Sequence, residues 1–135
     1  MKLRGETNKV LVLMGDGEMQ EGSVWEAAML APKLGLNNLV ALIDRNNLQG
    51  YGRATELVHF YPIEEKWISF GWDAVTVDGH DEAAIAEACK SGDRPKVVIC
   101  DTTKGKGVSF MEDELKWHYF LVQDDHKAQA LGELS

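Results

Sequence analysis

Residues 10–47, VLVLMGDGEMQEGSVWEAAMLAPKLGLNNLVALIDRNN, form the stretch that decides the fold expected for this chain. A short apolar run, KVLVLM over 9–14, stops at Gly15-Asp16-Gly17, and a second run, LVALID over 39–44, stops just before Asn46-Asn47. Short, nearly continuous apolar runs are typical of parallel strands that are covered on both faces. Because a helical pattern separates the two runs, the stretch predicts a strand–helix–strand unit with the strands side by side.

The helix is predicted over 18–36, and its apolar face consists mostly of small residues. These apolar residues are Val24, Trp25, Ala27, Ala28, Met29, Leu30 and Ala31. The width of this set predicts a helix that is buried over much of its circumference. Pro32 is expected to kink the helix or end its first part, and Gly35 suits its carboxyl-terminal cap.

The rest of the chain continues the alternation of strands and helices. The patterns predict a loop over 45–54, a helix over 63–70, a strand over 72–77, a helix over 82–90, a strand over 96–100, a loop over 102–107 and an amphipathic helix over 124–134. This order predicts an α/β fold with a mostly parallel sheet and helices on both faces. Ligands of such sheets bind at the carboxyl ends of the strands, so the polar residues there mark the expected binding edge.

Composition and charge exclude several classes of function. The chain has 135 residues, of which 44% are hydrophobic, which suits one domain with a core. Its net charge of -8 argues against nonspecific nucleic-acid binding, which relies on Lys and Arg. Since no apolar run reaches the roughly 18 residues of a membrane span and no signal peptide is evident, we expect a soluble cytoplasmic protein. Cys89 and Cys100 are expected to be buried, reduced thiols.

Two of the predicted strand ends supply oxygen ligands for a hard cation. Asp16 offers a carboxylate and Asn46 a neutral amide oxygen, both of which suit Mg2+. Gly15 and Gly17 would let the backbone approach a ligand closely. Separately these motifs are also common in turns and loops. Together, with the 28 residues of 18–45 as the crossover between them, they predict a site for a divalent cation and a diphosphate.

The GDG and NN motifs at this interval resemble the thiamine diphosphate signature. The segments GDGEMQEGSVWEAA (15–28) and LNNLVALIDRNNLQ (36–49) resemble transketolase, in particular the amino-terminal subunit of split transketolases. DGH (78–80), TKGKGVSF (103–110) and Trp117-His118 are also similar to that family. The resemblance therefore covers nearly the whole chain.

The resemblance implies a role for specific residues at the cofactor. Asp16 and Asn46 would bind Mg2+ through their side chains, and Leu48 through its backbone carbonyl. Gly15 and Gly17 would lie at the diphosphate. These roles are implied by the family, because the residues alone indicate only the cation and the diphosphate.

Four further residues match positions of the family. Glu18 and Lys104 would lie at the cofactor, although Lys104 could equally be a solvated loop lysine. Glu21 would join the acidic network that links the two active sites of a dimer, whereas its position alone favours a solvated helix residue. His118 would lie near the thiazolium and assist proton transfer, whereas a single His in a polar stretch is usually a surface residue.

The chain departs from the family pattern in two places. Residues 119–122, YFLV, follow His118, where the family usually has Gly and a basic residue. Family members also carry a long segment before the GDG strand, so residues 1–135 are expected to form the carboxy-terminal part of the thiamine diphosphate-binding domain. The aminopyrimidine domain, with the glutamate that activates the cofactor, is expected on a carboxy-terminal partner subunit. Exposed apolar surface would also favour a homo- or hetero-oligomer.

The expected activity is the transfer of a two-carbon ketol unit between sugar phosphates, dependent on thiamine diphosphate and Mg2+. Two alternatives stay open. One is a subunit of another thiamine diphosphate enzyme, of the deoxyxylulose-phosphate synthase or 2-oxoacid dehydrogenase type. The segments GSVWEAA (22–28) and DRNNLQ (44–49) favour transketolase over these types. The other is a non-catalytic cofactor-binding module.

Overall fold

The computed structural model describes residues 2–135, apart from the side chain of Leu3. Its strands are β1 (Val10–Gly15), β2 (Leu39–Arg45), β3 (Leu48–Gln49), β4 (Gly52–Arg53), β5 (Asp73–Asp78) and β6 (Lys96–Asp101). Its α-helices are α1 (Gly22–Lys33), α2 (Ala54–Leu57), α3 (Ile63–Ser69), α4 (Glu82–Ala88) and α5 (Asp124–Glu133). Single 3-10 turns span Lys2–Arg4, Glu18–Gln20 and Leu115–His118.

Four strands form one parallel sheet in the order β1-β2-β6-β5. The register places Gly15 beside Asp44, Arg45 beside Asp101, and Asp78 beside Asp101. All four carboxyl ends therefore lie along one edge of the sheet. This confirms the predicted α/β fold with a parallel sheet. The prediction of a loop over 45–54 is wrong in part, because this segment contains a small antiparallel hairpin of β3 and β4.

The larger part of the core lies between the sheet and the helices α1 and α3. Trp67 of α3 is almost fully buried and packs edge-on against Trp72, with ring centroids 4.6 Å apart. Ile43, Val97 and Ile99 supply the sheet side of this cluster. The apolar periodicity of the 63–70 segment thus encodes a helix that anchors the sheet.

Helix α4 covers the opposite face, but only over one half of the sheet. Val40 and Val98 pack there with Ile85 of α4. Leu11 and Leu13, beside Val40 and Leu42 in the register, are 58% and 71% exposed on this face. The prediction that β1 is covered on both faces is therefore wrong for the described chain, because α4 does not extend over it.

Helix α1 is shorter than predicted. Residues 18–20 form a separate 3-10 turn, and Glu21 has an extended backbone, with φ -73° and ψ 129°, so that the helix begins at Gly22. Ala28 and Ala31 are buried, but Met29 and Leu30 are each 54% exposed. The prediction of burial around most of the helix is therefore wrong, since only one face of α1 meets the core.

Pro32 lies inside the last turn of α1 without breaking it. A proline has no N–H to donate to the carbonyl four residues earlier, which is that of Ala28. The indole Nε1 of Trp72 donates to this carbonyl instead, at 2.7 Å. The predicted cap at Gly35 is confirmed by its φ of +62° and by the hydrogen bond from the Leu36 N–H to the Ala31 carbonyl.

The two cysteines are free thiols, but only Cys100 is buried, whereas Cys89 is half-buried. Burial raises the pKa of the Cys100 thiol above its ordinary value. Across residues 2–135, no helix is long and apolar enough to cross a membrane.

Candidate functional site

The two motifs that predicted the site lie at the carboxyl edge of the sheet. Asp16 directly follows β1, and Asn46 directly follows β2. The strands pair in register up to Gly15 beside Asp44, so the two chain segments leave the sheet next to each other. The sequence prediction of adjacent strand ends is therefore correct.

Asp16 is a charged residue that is buried in the fold, with 3% of its surface exposed. Neither of its carboxylate oxygens has a hydrogen-bond partner within the described chain. Burial raises the pKa of Asp16 to about 6, and the nearby Asp44 carboxylate adds to the rise. This rise in pKa is limited by the backbone N–H groups of Asn47 and Asn46 and by the positive charge of Arg45. Neither N–H makes a hydrogen bond to the carboxylate.

A buried, unpartnered carboxylate is costly in a folded protein unless a cation or donors meet it. Asp16 therefore fits the role of a metal ligand. In the described residues, no group of three His, Cys, Asp or Glu side chains could hold a metal. A cation at this edge would therefore need further oxygens besides such acidic side chains, and Mg2+ accepts carboxylate, amide and carbonyl oxygens together.

Asn46 and Asn47 have different local roles. The Asn46 Oδ1 accepts a hydrogen bond from the Leu48 N–H at 2.9 Å, which leaves a second lone pair on that oxygen. Asn47 has a φ of 62°, a conformation that Asn tolerates better than most residues. Its Oδ1 accepts from the Thr55 N–H at 3.1 Å, and its carbonyl from the Ala54 N–H at 3.0 Å. Asn47 thus shapes the turn, while Asn46 keeps an oxygen available.

Leu48 and His118 are brought together by the fold. The His118 Nε2 lies 3.3 Å from the Leu48 carbonyl oxygen, the backbone oxygen that the resemblance assigns to the metal. His118 ends the 3-10 turn over Leu115–His118. Beyond it, the Tyr119 hydroxyl packs so closely on Gly50 that a Cβ at Gly50 would overlap it. The residues that depart from the family pattern therefore begin by packing on the β3–β4 hairpin.

The GDG loop is held by Glu18, whose Oε2 accepts a hydrogen bond from the Gly15 N–H at 2.8 Å. Gly17 has a φ of -67°, which any residue can adopt. A Cβ on Gly17 would make only an ordinary contact with the Gln49 side chain, at 3.7 Å. Packing within the described chain does not require glycine at this position, which leaves room for the close approach of a ligand.

The loop that carries Lys104 is fastened to the sheet by residues that sequence reasoning did not assign. The His80 Nε2 accepts a hydrogen bond from the Thr103 N–H at 2.8 Å. A Cβ on Gly79 would lie 2.9 Å from the Asp101 carbonyl oxygen, so only glycine fits there. In the sequence, the DGH motif (78–80) was the feature that could have pointed to this role, which is to hold the loop at the sheet edge. Lys104 itself is half-buried in the loop.

Two side-chain contacts join β2 to the end of β6. Arg45 forms a two-pronged ion pair with Asp101, with 2.7 Å between Nη2 and Oδ2. The Thr102 hydroxyl donates to Oδ1 of Asp44. The sequence could not pair these residues, because β2 and β6 are neighbours in the sheet but far apart in the chain.

Glu21 lies apart from these contacts. Its side chain is exposed at the start of α1 and does not cap the helix. The described chain therefore offers Glu21 no internal role, and its expected place in a network between subunits stays a prediction.

Known proteins resemble this chain over nearly its whole length. Residues 4–133 match the family model described as transketolase, thiamine diphosphate binding domain. The chain is 42% identical over 131 residues to one subunit of the apulose-4-phosphate transketolase of Phocaeicola vulgatus, covering 94% of this chain and 47% of that protein. It is 37% identical over 131 residues to the 6-deoxy-6-sulfo-D-fructose transketolase subunit of a Clostridium species, covering 94% and 48%.

A solved structure, transketolase from Campylobacter jejuni, aligns with a TM-score of 0.85 at 27% identity, over 93% of this chain and 20% of that one. The chain spans about half the length of the two subunit relatives. The chain therefore belongs to the transketolase family, as a section of its amino-terminal, thiamine diphosphate-binding part.

Proposed function

We propose that this chain forms part of a subunit that transfers a two-carbon ketol unit between sugar phosphates, with thiamine diphosphate and Mg2+ and together with a partner chain. The observation that carries the proposal is the buried, unpartnered carboxylate of Asp16 beside Asn46 at the sheet edge. The names of two relatives, which refer to apulose-4-phosphate and to 6-deoxy-6-sulfo-D-fructose, support a sugar substrate.

In this proposal, Asp16 and Asn46 hold the Mg2+ by their side chains and Leu48 holds it by its carbonyl. The residues that hold the ion would thereby anchor the diphosphate, and bound thiamine diphosphate would supply the carbon-nucleophile chemistry for the two-carbon unit. The protein contributes position and electrostatics. Asp16 suits this role because its buried carboxylate has no hydrogen-bond partner in the described chain, and a cation would supply the missing positive charge.

Other residues act around the diphosphate. Glu18 keeps the GDG loop in place through the Gly15 N–H, so that Gly15 and Gly17 present backbone to the ligand. Lys104 provides a positive charge from the loop that His80 fastens. His118 would lie near the thiazolium and assist proton transfer through its imidazole ring, whose Nε2 lies 3.3 Å from the Leu48 carbonyl oxygen.

We also propose that a partner chain completes the site. Two relatives are named as subunits. Leu11 and Leu13 on β1, and Met29 and Leu30 on α1, leave apolar surface exposed beside an open sheet edge. Such surface favours association. The partner would carry the aminopyrimidine domain and its activating glutamate, Glu21 would meet the partner side, and the assembly would work in the cytoplasm.

Calorimetric titration of thiamine diphosphate into the chain with Mg2+ tests the cofactor site. Saturable binding that requires Mg2+ is expected for the wild type and not for Asp16→Ala. Asp93→Ala is the matched control, because Asp93 is an exposed acidic residue in the loop that leads into β6, at the opposite end of that strand. Mg2+-dependent binding that survives in Asp16→Ala would refute the assigned ligand.

Turnover tests the reaction once a partner chain is present. Consumption of a ketose phosphate with an aldose acceptor would support ketol transfer. Consumption of pyruvate instead would indicate the deoxyxylulose-phosphate synthase or 2-oxoacid dehydrogenase type. Cofactor binding without turnover of either substrate would leave a non-catalytic module.

A further inference from the structure

A half-buried carboxylate, Asp44, lies between Asn46 and the segment that follows β6. Its Oδ1 accepts a hydrogen bond from the Asn46 Nδ2 at 3.3 Å, and another from the Thr102 hydroxyl. Asp44 is not among the metal ligands proposed above. It nevertheless joins the side chain of one of those ligands to the neighbouring strand.

The Asn46 amide has partners of opposite polarity on its two sides. An ionised carboxylate only accepts hydrogen bonds, and a backbone N–H only donates. Asp44 faces the Nδ2 group, and the Leu48 N–H donates to Oδ1 at 2.9 Å. Turning the amide over would set its oxygen against the carboxylate and its NH2 group against the N–H. The two contacts therefore select the orientation that keeps the oxygen on the Leu48 side.

Thr102 fixes the carboxylate in turn. Thr102 directly follows β6, and its N–H donates to the Arg45 carbonyl of β2 at 3.2 Å. Its hydroxyl must donate to Asp44, since the carboxylate cannot donate. The direction of the Asn46 amide is thus set from two neighbouring strands, and not by one loop alone.

We propose that Asp44, held by Thr102, is a positioning residue of the cation site that fixes the Asn46 amide with its oxygen available to the metal. The inference rests on the proposed function, since it takes Asn46 as a ligand of the ion. Loss of a group that orients a metal ligand typically lowers metal affinity about 10–100-fold.

The test is a titration of the full chain with Mn2+ alone, in which electron paramagnetic resonance measures the free and bound Mn2+. Asp44→Asn is expected to weaken Mn2+ binding about 10–100-fold. Thr102→Val keeps the charge of Asp44 but removes the donor, and is expected to weaken Mn2+ binding about 2–10-fold. Thr102→Ser keeps the hydroxyl and should bind Mn2+ as the wild type does. Asp73→Asn is the charge-matched control, because Asp73 pairs with Lys96 at the opposite edge of the sheet. It should bind Mn2+ as the wild type does.

A second readout separates positioning from a general loss of structure. The side-chain amide NMR signals of Asn46 in the metal-free chain should shift in Asp44→Asn and Thr102→Val, and return in Thr102→Ser. Unchanged Mn2+ affinity and unchanged amide signals in folded Asp44→Asn would overturn the inference and leave the proposed function standing. A wild-type chain that binds no Mn2+ would overturn both. If Asp44→Asn does not fold, the two Thr102 variants decide the matter.

Discussion

Replacing Asp16 by Asn should stabilise the metal-free chain while it abolishes metal binding. The carboxylate is buried and has no hydrogen-bond partner in the described chain, so its charge is unfavourable in the folded state. Asparagine has nearly the same shape and no charge. The substitution therefore removes the electrostatic cost and keeps the packing of the GDG loop.

The size of the effect follows from the pKa of Asp16, which rises from an ordinary value of 3.8 to about 6 on folding. About two pH units between the two values correspond to about 3 kcal/mol, at about 1.4 kcal/mol per unit. Because the folded-state pKa is the higher one, the ionised carboxylate opposes folding. This destabilisation is fully present above about pH 7, declines as the pH falls through about 6, and disappears below about pH 4.

Urea denaturation of both proteins between pH 4 and 8, with a chelator present, measures this difference. Asp16→Asn should exceed the wild type in free energy of unfolding by up to about 3 kcal/mol at pH 8, and by almost nothing at pH 4. Saturating Mg2+ should stabilise the wild type and not the variant. Asp93→Asn, at an exposed acidic residue, controls for the loss of one acidic group. A variant less stable than the wild type at pH 8, or a difference that does not change with pH, would refute the reasoning.

Two further predictions concern packing and association. Trp72→Phe should cost about 1–3 kcal/mol in urea denaturation, because the Ala28 carbonyl loses its donor where Pro32 cannot supply one. Adding Pro32→Ala should recover much of this loss, and a double variant no more stable than the single one would contradict the explanation. Replacing Leu11 and Leu13 together by Thr should reduce association, so that light scattering measures a lower molecular mass. Because both residues are exposed, the free energy of unfolding should change by less than about 1 kcal/mol. Unchanged association would show that another surface drives it.

The sequence predicted which strand ends lie side by side better than it predicted the contacts among the candidate residues. Apolar runs that end in GDG and just before NN place Asp16 and Asn46 at one edge, because parallel strands joined by a helix end on the same side. The hairpin of β3 and β4 was missed because strands of two residues show no periodicity. The contact between His118 and Leu48 joins residues far apart in the chain, and no local pattern encodes it.

The errors about burial share one physical cause. Leu13 and Met29 belong to apolar patterns that predicted burial, yet both are largely exposed in the described chain. A hydrophobic pattern tells which surface is unfavourable in water, but not which segment covers it. The sequence pattern therefore predicted apolar surface at these residues, but not how much of it the described chain covers.

The contacts along the sheet edge show how the fold can hold an unfavourable group in place. The ion pair of Arg45 with Asp101 and the hydrogen bond of Thr102 to Asp44 join β2 to β6. Asp16 makes no such contact, and its pKa of about 6 records the cost. At this edge Arg45 is paired with Asp101, and Thr102 with Asp44. The unmet charge is then concentrated on Asp16, the residue that a cation would contact.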